Sequence, residues 1–436
     1  MSTLQKPTGT GGFTPMRSYT ARILFFAFLG TLFDGAELNL VGYPLSYLAE
    51  SFHVSTIQIV QVATLQGFAS IAGGILCGWL GDLYGRRWTY TGSVLAFGVA
   101  ALLGGLAPNY FLFLLTRLLA GVGMGGLFGL SFSMFAECWK TRKRGMMGGS
   151  IQAMYFVGQI LTEGVVYACL VEFGEDRGWR TGYVLIGVTT LVIGVAAAVL
   201  LPESEQWREY QRELKAGRVP ENLRRTKVPL LDVFRGGYAA GTILFMALAT
   251  ALFLTTNSLI SYLSTFLIKV EKVPLGTASL IVLLGLVVTG ITYPLTGILS
   301  DVLKRKWAMF ASAVFGVLGF GWFLGQVLSG SARIGTDFWA YPTFWALMMC
   351  AGGSGGFGVL GIWMAEFFPT RVRSSGSNLS YYAGRGFGAG LFPLVALSLA
   401  GTVPLALALG IVGPVAAAVL AVVAPDSTGR RIEAIE

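Results

Sequence analysis

Long apolar runs alternate with short polar segments along nearly the whole chain. Each run is about 20 residues long, which is enough for a helix to cross a hydrocarbon core of ~30 Å. The runs predict spans over residues 22–48, 56–80, 88–107, 110–136, 146–170, 180–201, 238–268, 277–300, 307–328, 341–366, 375–400 and 402–424. The pattern therefore predicts an all-α membrane protein with twelve transmembrane helices.

One long polar stretch, residues 202–237, divides these runs into two sets of six. Its prolines and its charges of both signs are typical of a linker, and a short amphipathic helix is expected around 204–215. We therefore predict an N-terminal six-helix bundle over 1–201, a linker over 202–237, and a C-terminal six-helix bundle with a tail over 238–436.

Composition excludes an ordinary soluble domain, because 54% of the residues are hydrophobic, 12% are charged and the mean hydropathy is +0.68. With both termini placed inside, 24 of the 31 Lys and Arg residues fall in cytoplasmic segments. The opposite segments hold five, namely Arg177, Arg180, Lys269, Lys272 and Arg333. This positive-inside bias predicts a multi-pass protein of the plasma (inner) membrane with cytoplasmic termini and linker. The net charge of +9 thus reflects topology and contact with lipid rather than with nucleic acid.

Several kinds of site lack their usual residues. The first residues are polar and the first apolar run is too long for a cleavable signal peptide. The four cysteines have no paired spacing in any exterior loop, and the single histidine, His53, is expected on the surface. The sequence therefore predicts no disulfide, no metal, no cofactor and no enzyme active site.

The loops after the second and eighth predicted spans have closely similar sequences. In the first loop Asp82 follows Gly78 by four residues, and in the second Asp301 follows Gly297 in the same way. Basic clusters close both loops. A Glu ahead of Arg residues also recurs after the fourth and tenth spans. Repetition at matching places predicts two related halves, a common construction of secondary transporters.

These loops resemble the signature of the major facilitator superfamily, and the resemblance covers essentially the whole chain. The Gly-xxx-Asp-xx-Gly-Arg-Arg pattern at 78–87 is the best-known motif of that superfamily, and Arg117 with Gly121 matches its fourth-helix motif. Lys304 stands where the second loop should have Gly, so that copy is degenerate. The resemblance implies the major facilitator fold, with two pseudo-symmetric six-helix bundles and alternating access.

Further segments look like the metabolite:proton symporter branch, which includes organic-acid, aromatic-acid and sialate-type symporters. They are Asp34-Gly35-Ala36-Glu37 in the first span, Gly178-Trp179-Arg180 before the sixth and Pro202-Glu203-Ser204-Glu205-Gln206-Trp207 after it. The last two also look like sugar porters. In such relatives a first-helix Asp opposed by a fourth-helix Arg couples protons, and Asp34 and Arg117 occupy those places.

The repeated loops suggest a latch between the halves. Asp82 can accept hydrogen bonds at a helix N-terminus or from a cation, while Arg86 and Arg87 are expected at the cytoplasmic surface. A latch of this kind would favour the outward-open state, because it must break when the cytoplasmic side opens. Alternatively, these charges only set the topology. The residues predicted to gate the protein are Gly78, Asp82, Gly85, Arg86, Arg87, Glu137, Arg144, Asp301, Arg305, Glu366 and Arg373.

Five charged residues lie inside predicted spans, where each charge costs roughly 2.5–3.5 kcal/mol. They are Asp34, Glu37, Arg117, Glu163 and Arg385. Arg117 is within plausible reach of all three acids, and an ion pair would lower the cost of burial. Since three acids face two arginines, one acid should lack a cation and could carry a proton. We predict proton coupling by Asp34, Glu37, Arg117 and Glu163; the alternative is static pairs that brace the helices.

Arg385 is the one buried charge of the second half, so an anion should meet it. Helical spacing places Asn378, Tyr381 and Tyr382 near it, and this set suits a carboxylate with hydroxyl or ring groups. Alternatively, Arg385 pairs with a main-chain carbonyl or with Asp34. A polar stripe on the fifth span, and two residues on the seventh, complete the predicted substrate site: Gln152, Tyr155, Gln159, Glu163, Asn257 and Tyr262.

These features predict proton-coupled uptake of a small organic anion, such as a monocarboxylate, aromatic acid or sugar acid, by a functional monomer. A neutral sugar or polyol symporter is an alternative, and its binding would survive loss of Arg385. A drug or metabolite antiporter is another, although residues 145–170 lack the proline such proteins often carry. A transporter-like sensor that binds without turnover remains open as well.

Overall fold

The computed structural model describes residues 15–139, 143–221, 224, 229–235 and 237–429. Within these ranges the chain forms helices and no β-strand. Twelve helices are long and apolar enough to cross a membrane. They are α1 (Ser18–Gly42), α2 (Thr56–Tyr84), α3 (Arg86–Gly105), α4 (Tyr110–Cys138), α5 (Arg144–Phe173), α6 (Glu175–Leu200), α7 (Tyr238–Val270), α8 (Leu275–Leu303), α9 (Arg305–Leu328), α10 (Pro342–Phe367), α11 (Arg373–Ala400) and α12 (Val403–Val423). The fold class predicted from the apolar runs is confirmed.

Two boundaries differ from the predicted ones by five residues or more. The first span ends at Gly42 rather than residue 48, and a separate short helix, Leu45–Ser51, follows Pro44. Proline lacks the amide hydrogen that would continue the helix. The sixth span begins at Glu175 instead of residue 180, because acidic residues in its first turn complement the helix dipole.

The same helix pairs form in each half of the molecule. In the first half α1 packs on α5 and α3 on α6; in the second, α7 packs on α11 and α9 on α12. Contacts of α2 with α11 and of α5 with α8 join the halves. The α5–α8 crossing requires glycine at Gly145 and Gly297, because a Cβ on either would overlap the carbonyl oxygen of the other.

The linker begins as the sequence suggests. Its amphipathic helix, Glu205–Lys215, follows Ser204, whose hydroxyl accepts a hydrogen bond from the Trp207 amide at 3.2 Å. The Trp207 indole donates to the Asp82 carbonyl at 3.0 Å, which fixes this helix against the end of α2. We call this the terminal side, since α1 begins and α12 ends there. Basic residues of the predicted bias that lie outside the described residues are Lys6, Lys140, Arg142, Arg225, Lys227, Arg430 and Arg431.

The two repeated loops make the same turn with different residues. Gly85, between α2 and α3, has φ of 116° and ψ of 153°. Lys304, between α8 and α9, has φ of 78° and ψ of 156°. Side chains rarely adopt this region, so the degenerate position of the second loop carries backbone strain of about 1–3 kcal/mol.

Replacing Lys304 by glycine should therefore stabilise the protein. The matched control is Lys304→Ala, because both changes remove the 3.2 Å ion pair to Asp426 but only glycine relieves the strained φ. We expect Lys304→Gly to unfold at a higher temperature than Lys304→Ala, with a difference of about 1 kcal/mol or more in unfolding free energy. Thermal unfolding in detergent measures this. Equal melting temperatures for the two variants would show that the turn is not strained.

Candidate functional site: terminal-side latches and a central chamber

Asp82 closes the terminal side between α2 and α11. Its carboxylate accepts hydrogen bonds from the amides of Ser374 at 3.2 Å and Ser375 at 2.8 Å, in the first turn of α11. Those amides have no carbonyl partner within their own helix, and the positive end of the helix dipole favours an anion there. The close approach depends on Gly78, since a Cβ there would lie 2.8 Å from the Ser375 Cα.

Asp301 repeats this contact between α8 and α5. Its carboxylate accepts from the amides of Gly145 at 2.7 Å and Met146 at 2.9 Å. As in the first contact, the two donors are the second and third residues of their helix. Each half therefore holds the other by a carboxylate at a helix N-terminus. We call these two contacts the Asp82 latch and the Asp301 latch.

Two carboxylates beside the latches each join a pair of arginines. Glu137 lies 3.1 Å from Arg86 of its own half and 2.6 Å from Arg373 of the other half. Glu366 forms the mirror arrangement, at 3.0 Å from Arg305 of its own half and 3.7 Å from Arg144 of the other half. The Glu137–Arg373 and Glu366–Arg144 pairs cross the interface between the halves. Opening the terminal side must therefore separate these two ion pairs.

The expectation that Arg86 stays at the surface is wrong. Arg86 is fully buried, because Glu137 and the Thr370 carbonyl, at 2.7 Å, replace its water shell. Arg87 is half-buried, and its guanidinium donates to the Ala198 carbonyl. The first-loop arginines are thus parts of the closed interface in addition to any role in topology.

Sequence reasoning missed the residues that complete this network. The Glu203 carboxylate accepts from the Arg86 amide at 2.9 Å and so caps α3 beside Gly85, while Ser204 donates to Glu137. In the second half the Thr428 hydroxyl takes the capping place by accepting from the Arg305 amide at 2.8 Å. The signal available in the sequence was the pair of matching segments Pro202-Glu203-Ser204 after α6 and Pro425-Asp426-Ser427 after α12, because both lie where these caps form.

A chamber lies between the two halves, from mid-depth toward the side opposite the termini. Three adjoining cavities form it, and neighbouring cavities share residues such as Ile260 of α7. One part, the arginine lobe, is lined by Gln152, Tyr155, Asn257, Tyr381 and Arg385. The other part, the apolar lobe, is lined chiefly by Leu259, Leu263, Val282, Leu286, Leu347 and Met348, with Glu163 at its rim.

Arg385 is the cation of this chamber. It is 4% exposed, and within the described part of the chain its two terminal nitrogens have no hydrogen-bond partner. The nearest acid is Asp34 of α1, with Nη1 and Oδ1 3.9 Å apart, which is an ion pair without a hydrogen bond. The alternative that Arg385 reaches across to Asp34 is therefore confirmed. A turn of π-helix, Gly386–Leu391, follows Arg385 directly, as often occurs at functional sites.

The pairing of Asp34 with Arg117 that the resemblance implied is wrong. Arg117 instead contacts Glu37, one turn further along α1, at 2.6 Å, and donates to the Ala100 carbonyl at 2.7 Å. Both members of this pair are fully buried, and neither lines the chamber cavities described above. Glu37 therefore takes the place opposite the fourth-helix arginine, and Asp34, which lines none of the three cavities itself, lies behind Arg385, which does.

Glu163 is the acid that remains without a cation among the described residues. Its Oε1 accepts a hydrogen bond from the Asn39 amide at 3.1 Å, and the same amide also donates to the Gln159 carbonyl at 3.2 Å. Arg117 pairs elsewhere, so the predicted cluster of four charges in the first half separates into the Glu37–Arg117 pair, Asp34 beside Arg385, and Glu163 on the lining of the apolar lobe. Asn39 was missed, although an amide inside an apolar span was a usable signal.

The polar stripe of α5 faces the chamber. Gln152 and Tyr155 line the arginine lobe, and Gln159 lies between the two lobes. The side-chain carbonyls of both glutamines are buried without a hydrogen-bond donor among the described residues. Asn257 of α7 also lines the arginine lobe, but its amide is already bonded to the Phe253 carbonyl at 3.0 Å.

Three residues predicted to bind substrate lie elsewhere. Asn378 is fully buried at the α4–α11 crossing, where its carbonyl accepts from the Gly129 amide at 2.7 Å. Tyr382 is also fully buried and donates to the Met124 carbonyl at 2.5 Å. Tyr262 lies in the apolar cluster between α7 and the later helices of its half. Helical spacing placed the first two near Arg385 along α11, but they turn toward α4. Tyr381 alone of this group lines the chamber, stacked on Phe128.

The comparisons with known proteins agree with this architecture. The family model of the Major Facilitator Superfamily matches residues 27–288. The chain belongs to the major facilitator superfamily. It is 28% identical to the cis,cis-muconate transport protein of Acinetobacter baylyi over 392 residues, which is 86% of this chain and 87% of that protein. It is 23% identical to the sialic acid transporter NanX of Escherichia coli over 365 residues, 83% of each chain.

The solved structures show the same fold. The proton:xylose symporter XylE has a TM-score of 0.77 at 17% identity, covering 95% of this chain and 98% of that one. This major facilitator protein is therefore a multi-pass membrane transporter and not an enzyme. The resemblance that the loops gave is confirmed at the level of the superfamily and of its metabolite-transporter branch.

Weakening either latch should open the terminal side. Asp82→Asn or Asp301→Asn leaves one acceptor oxygen in place of two charged ones, and loss of about 1 kcal/mol would raise the open population about fivefold. Ser133 is a buried residue of α4 whose hydroxyl contacts that of Ser374 in α11. A cysteine in its place, in a background without the native cysteines, reports opening through its labelling rate. Asp176→Asn, on the opposite side, is the control. Labelling no faster than in this control would contradict the latch assignment.

Proposed function

We propose that this transporter takes up a small organic anion together with protons. Arg385 carries the proposal: it is a nearly buried cation on the chamber wall whose two terminal nitrogens have no hydrogen-bond partner among the described residues. A guanidinium in this condition favours a ligand with two acceptor oxygens, and a carboxylate supplies them in one plane. The names of the muconate and sialic acid relatives, both transporters of organic acids, support an anionic substrate, although muconate has two carboxylates and sialic acid has several hydroxyls.

Proton coupling follows from competition for Arg385. When Asp34 is ionised it attracts the guanidinium at 3.9 Å, and a substrate carboxylate must compete with it. A proton on Asp34 removes that competitor, so Arg385 becomes free to bind the substrate. Loading would then be favoured on the more acidic side of the membrane. The Glu37–Arg117 pair is a second site of protonation that would loosen α1 from α4.

The two halves would move as the bodies of an alternating-access cycle. We assign residues 1–201 and 238–436 to these bodies and 202–237 to the linker, and one chain containing both suffices as a functional monomer. The positive-inside bias places the terminal side in the cytoplasm of a cell with the protein in its inner membrane. Both latches are closed on the terminal side, and the chamber extends toward the opposite side. We assign this arrangement to a conformation that takes up substrate from outside the cell.

Loss of the chamber cation should abolish anion binding. Arg385→Gln is expected to weaken binding of a transported acid about 10- to 100-fold, since charge-assisted hydrogen bonds contribute ~1.5–3 kcal/mol. Because Arg385→Gln alone leaves Asp34 without its cation, the affinity of the double variant Arg385→Gln, Asp34→Asn is measured beside that of the single variant. Binding to protein in lipid nanodiscs gives the affinities. Undiminished affinity in the double variant would favour the neutral sugar or polyol alternative.

Neutralising Asp34 should separate transport from the proton gradient. Asp34→Asn resembles the protonated residue, so Arg385 stays free and anion binding should no longer weaken as pH rises. In proteoliposomes we expect accumulation driven by a pH gradient to be lost, while exchange of labelled for unlabelled substrate continues. Exchange within the same preparation is the control for folding. Accumulation that persisted in Asp34→Asn would remove Asp34 from the coupling mechanism.

A further inference from the structure

The chamber has one charge of each sign on its described lining, and they stand in different lobes. Arg385 lines the arginine lobe, and Glu163 lies at the rim of the apolar lobe. Gln159 of α5 borders the cavity of Arg385 and also that of Glu163. Glu163 follows Gln159 by one helical turn, about 6 Å along the axis. A ligand held at Arg385 that extends past Gln159 therefore approaches the carboxylate.

Glu163 is fixed in place rather than free to turn away. Asn39 holds its Oε1 at 3.1 Å and is itself bonded to the α5 backbone at the Gln159 carbonyl. The described lining of the apolar lobe contains no cation that could accompany a second negative group. A second carboxylate on the ligand would thus lose its water shell and face a like charge.

The apolar lobe offers little to a polyhydroxylated ligand. Its lining is mainly aliphatic, and two of its hydroxyls already donate within the protein: Thr289 donates to the Gly285 carbonyl at 2.9 Å and Thr256 to the Leu252 carbonyl at 3.1 Å. Buried hydroxyls of a sugar would find few free partners there. Free acceptors are the side-chain carbonyls of Gln152, in the arginine lobe, and of Gln159, which borders the cavities of both Arg385 and Glu163.

We infer that the substrate carries a single carboxylate and an uncharged, mainly apolar body, and that Glu163 determines specificity by excluding a second carboxylate. The inference rests on the proposed function, because it takes Arg385 as the site of the first carboxylate. In the bound state the carboxylate lies in the arginine lobe, hydroxyls next to it meet the glutamine carbonyls, and the body lies in the apolar lobe.

Matched acids of increasing length test this inference. Affinities of butyrate, hexanoate and octanoate are compared with those of succinate, adipate and suberate, for protein in lipid nanodiscs. We expect each monoacid to bind more tightly than its diacid, with the largest ratio for the longest pair. Glu163→Gln should reduce that ratio about tenfold for octanoate against suberate, because it removes the like charge. Glu163→Asp, which keeps the charge, should restore discrimination.

Glu172→Gln is the matched control, since it makes the same change at an exposed position further along α5. Suberate binding as tightly as octanoate to the wild-type protein would overturn the inference, and so would equal effects of Glu163→Gln and Glu172→Gln. In both cases anion binding, and with it the proposed function, would stand. If neither series binds while a neutral polyol does, the proposed function fails together with the inference.

Filling the apolar lobe tests where the body lies. Gly285 lines this lobe, and a Cβ there would approach the Met348 methyl group only to 3.8 Å, so a larger side chain can enter without overlapping the backbone. Gly285→Leu should weaken octanoate binding about fivefold more than butyrate binding. Gly276→Leu, at an open position on the same helix, should not change that ratio. Equal weakening of both acids by Gly285→Leu would place the body elsewhere.

Discussion

The cost of an unpaired charge inside a membrane protein constrains the whole arrangement. Within the spans, Glu37 meets Arg117 and Asp34 meets Arg385, so each of these two buried guanidinium groups has an acid beside it. On the terminal side Glu137 and Glu366 each lie between two arginines. Since separated partners would be left in a poorly solvated interior, a change of conformation must exchange these partners rather than simply part them.

Two kinds of ion pair follow, and they differ in how completely they are hydrogen-bonded. The Glu366–Arg305 contact and the latches have donor–acceptor distances of 2.7–3.2 Å and close one end of the protein. The Asp34–Arg385 contact is 3.9 Å long, with the guanidinium nitrogens otherwise unbonded among the described residues. A well-bonded pair holds a conformation, whereas a loose pair can accept a ligand in place of its acid. This difference separates the contacts that we propose as the gate from the proposed binding site.

The pseudo-symmetry holds where closure needs it and is lost at the centre. The latches and their Glu–Arg clusters repeat between the halves, as expected if each half releases the other in the same movement of the proposed cycle. In the chamber, by contrast, the first half contributes Glu163 and amides, and the second contributes Arg385 and an apolar wall. A ligand that is charged at one end only fits such a chamber better than a ligand that is charged at both ends.

The number of spans, the division into halves and the repeated loops were readable from the sequence, because span length and loop motifs are local properties. Spacing also gave the depth of each charge and the inward-facing stripe of α5. It did not give partners: Asp34 was assigned to Arg117, and Asn378 and Tyr382 to the substrate site. Helical periodicity fixes the height and the face of a residue, but the neighbour of that face depends on helix packing. The apolar lobe had no signature at all, since aliphatic residues that line a chamber look like those that face lipid. Only the tertiary structure could distinguish them, because a chamber exists only where two halves fail to touch.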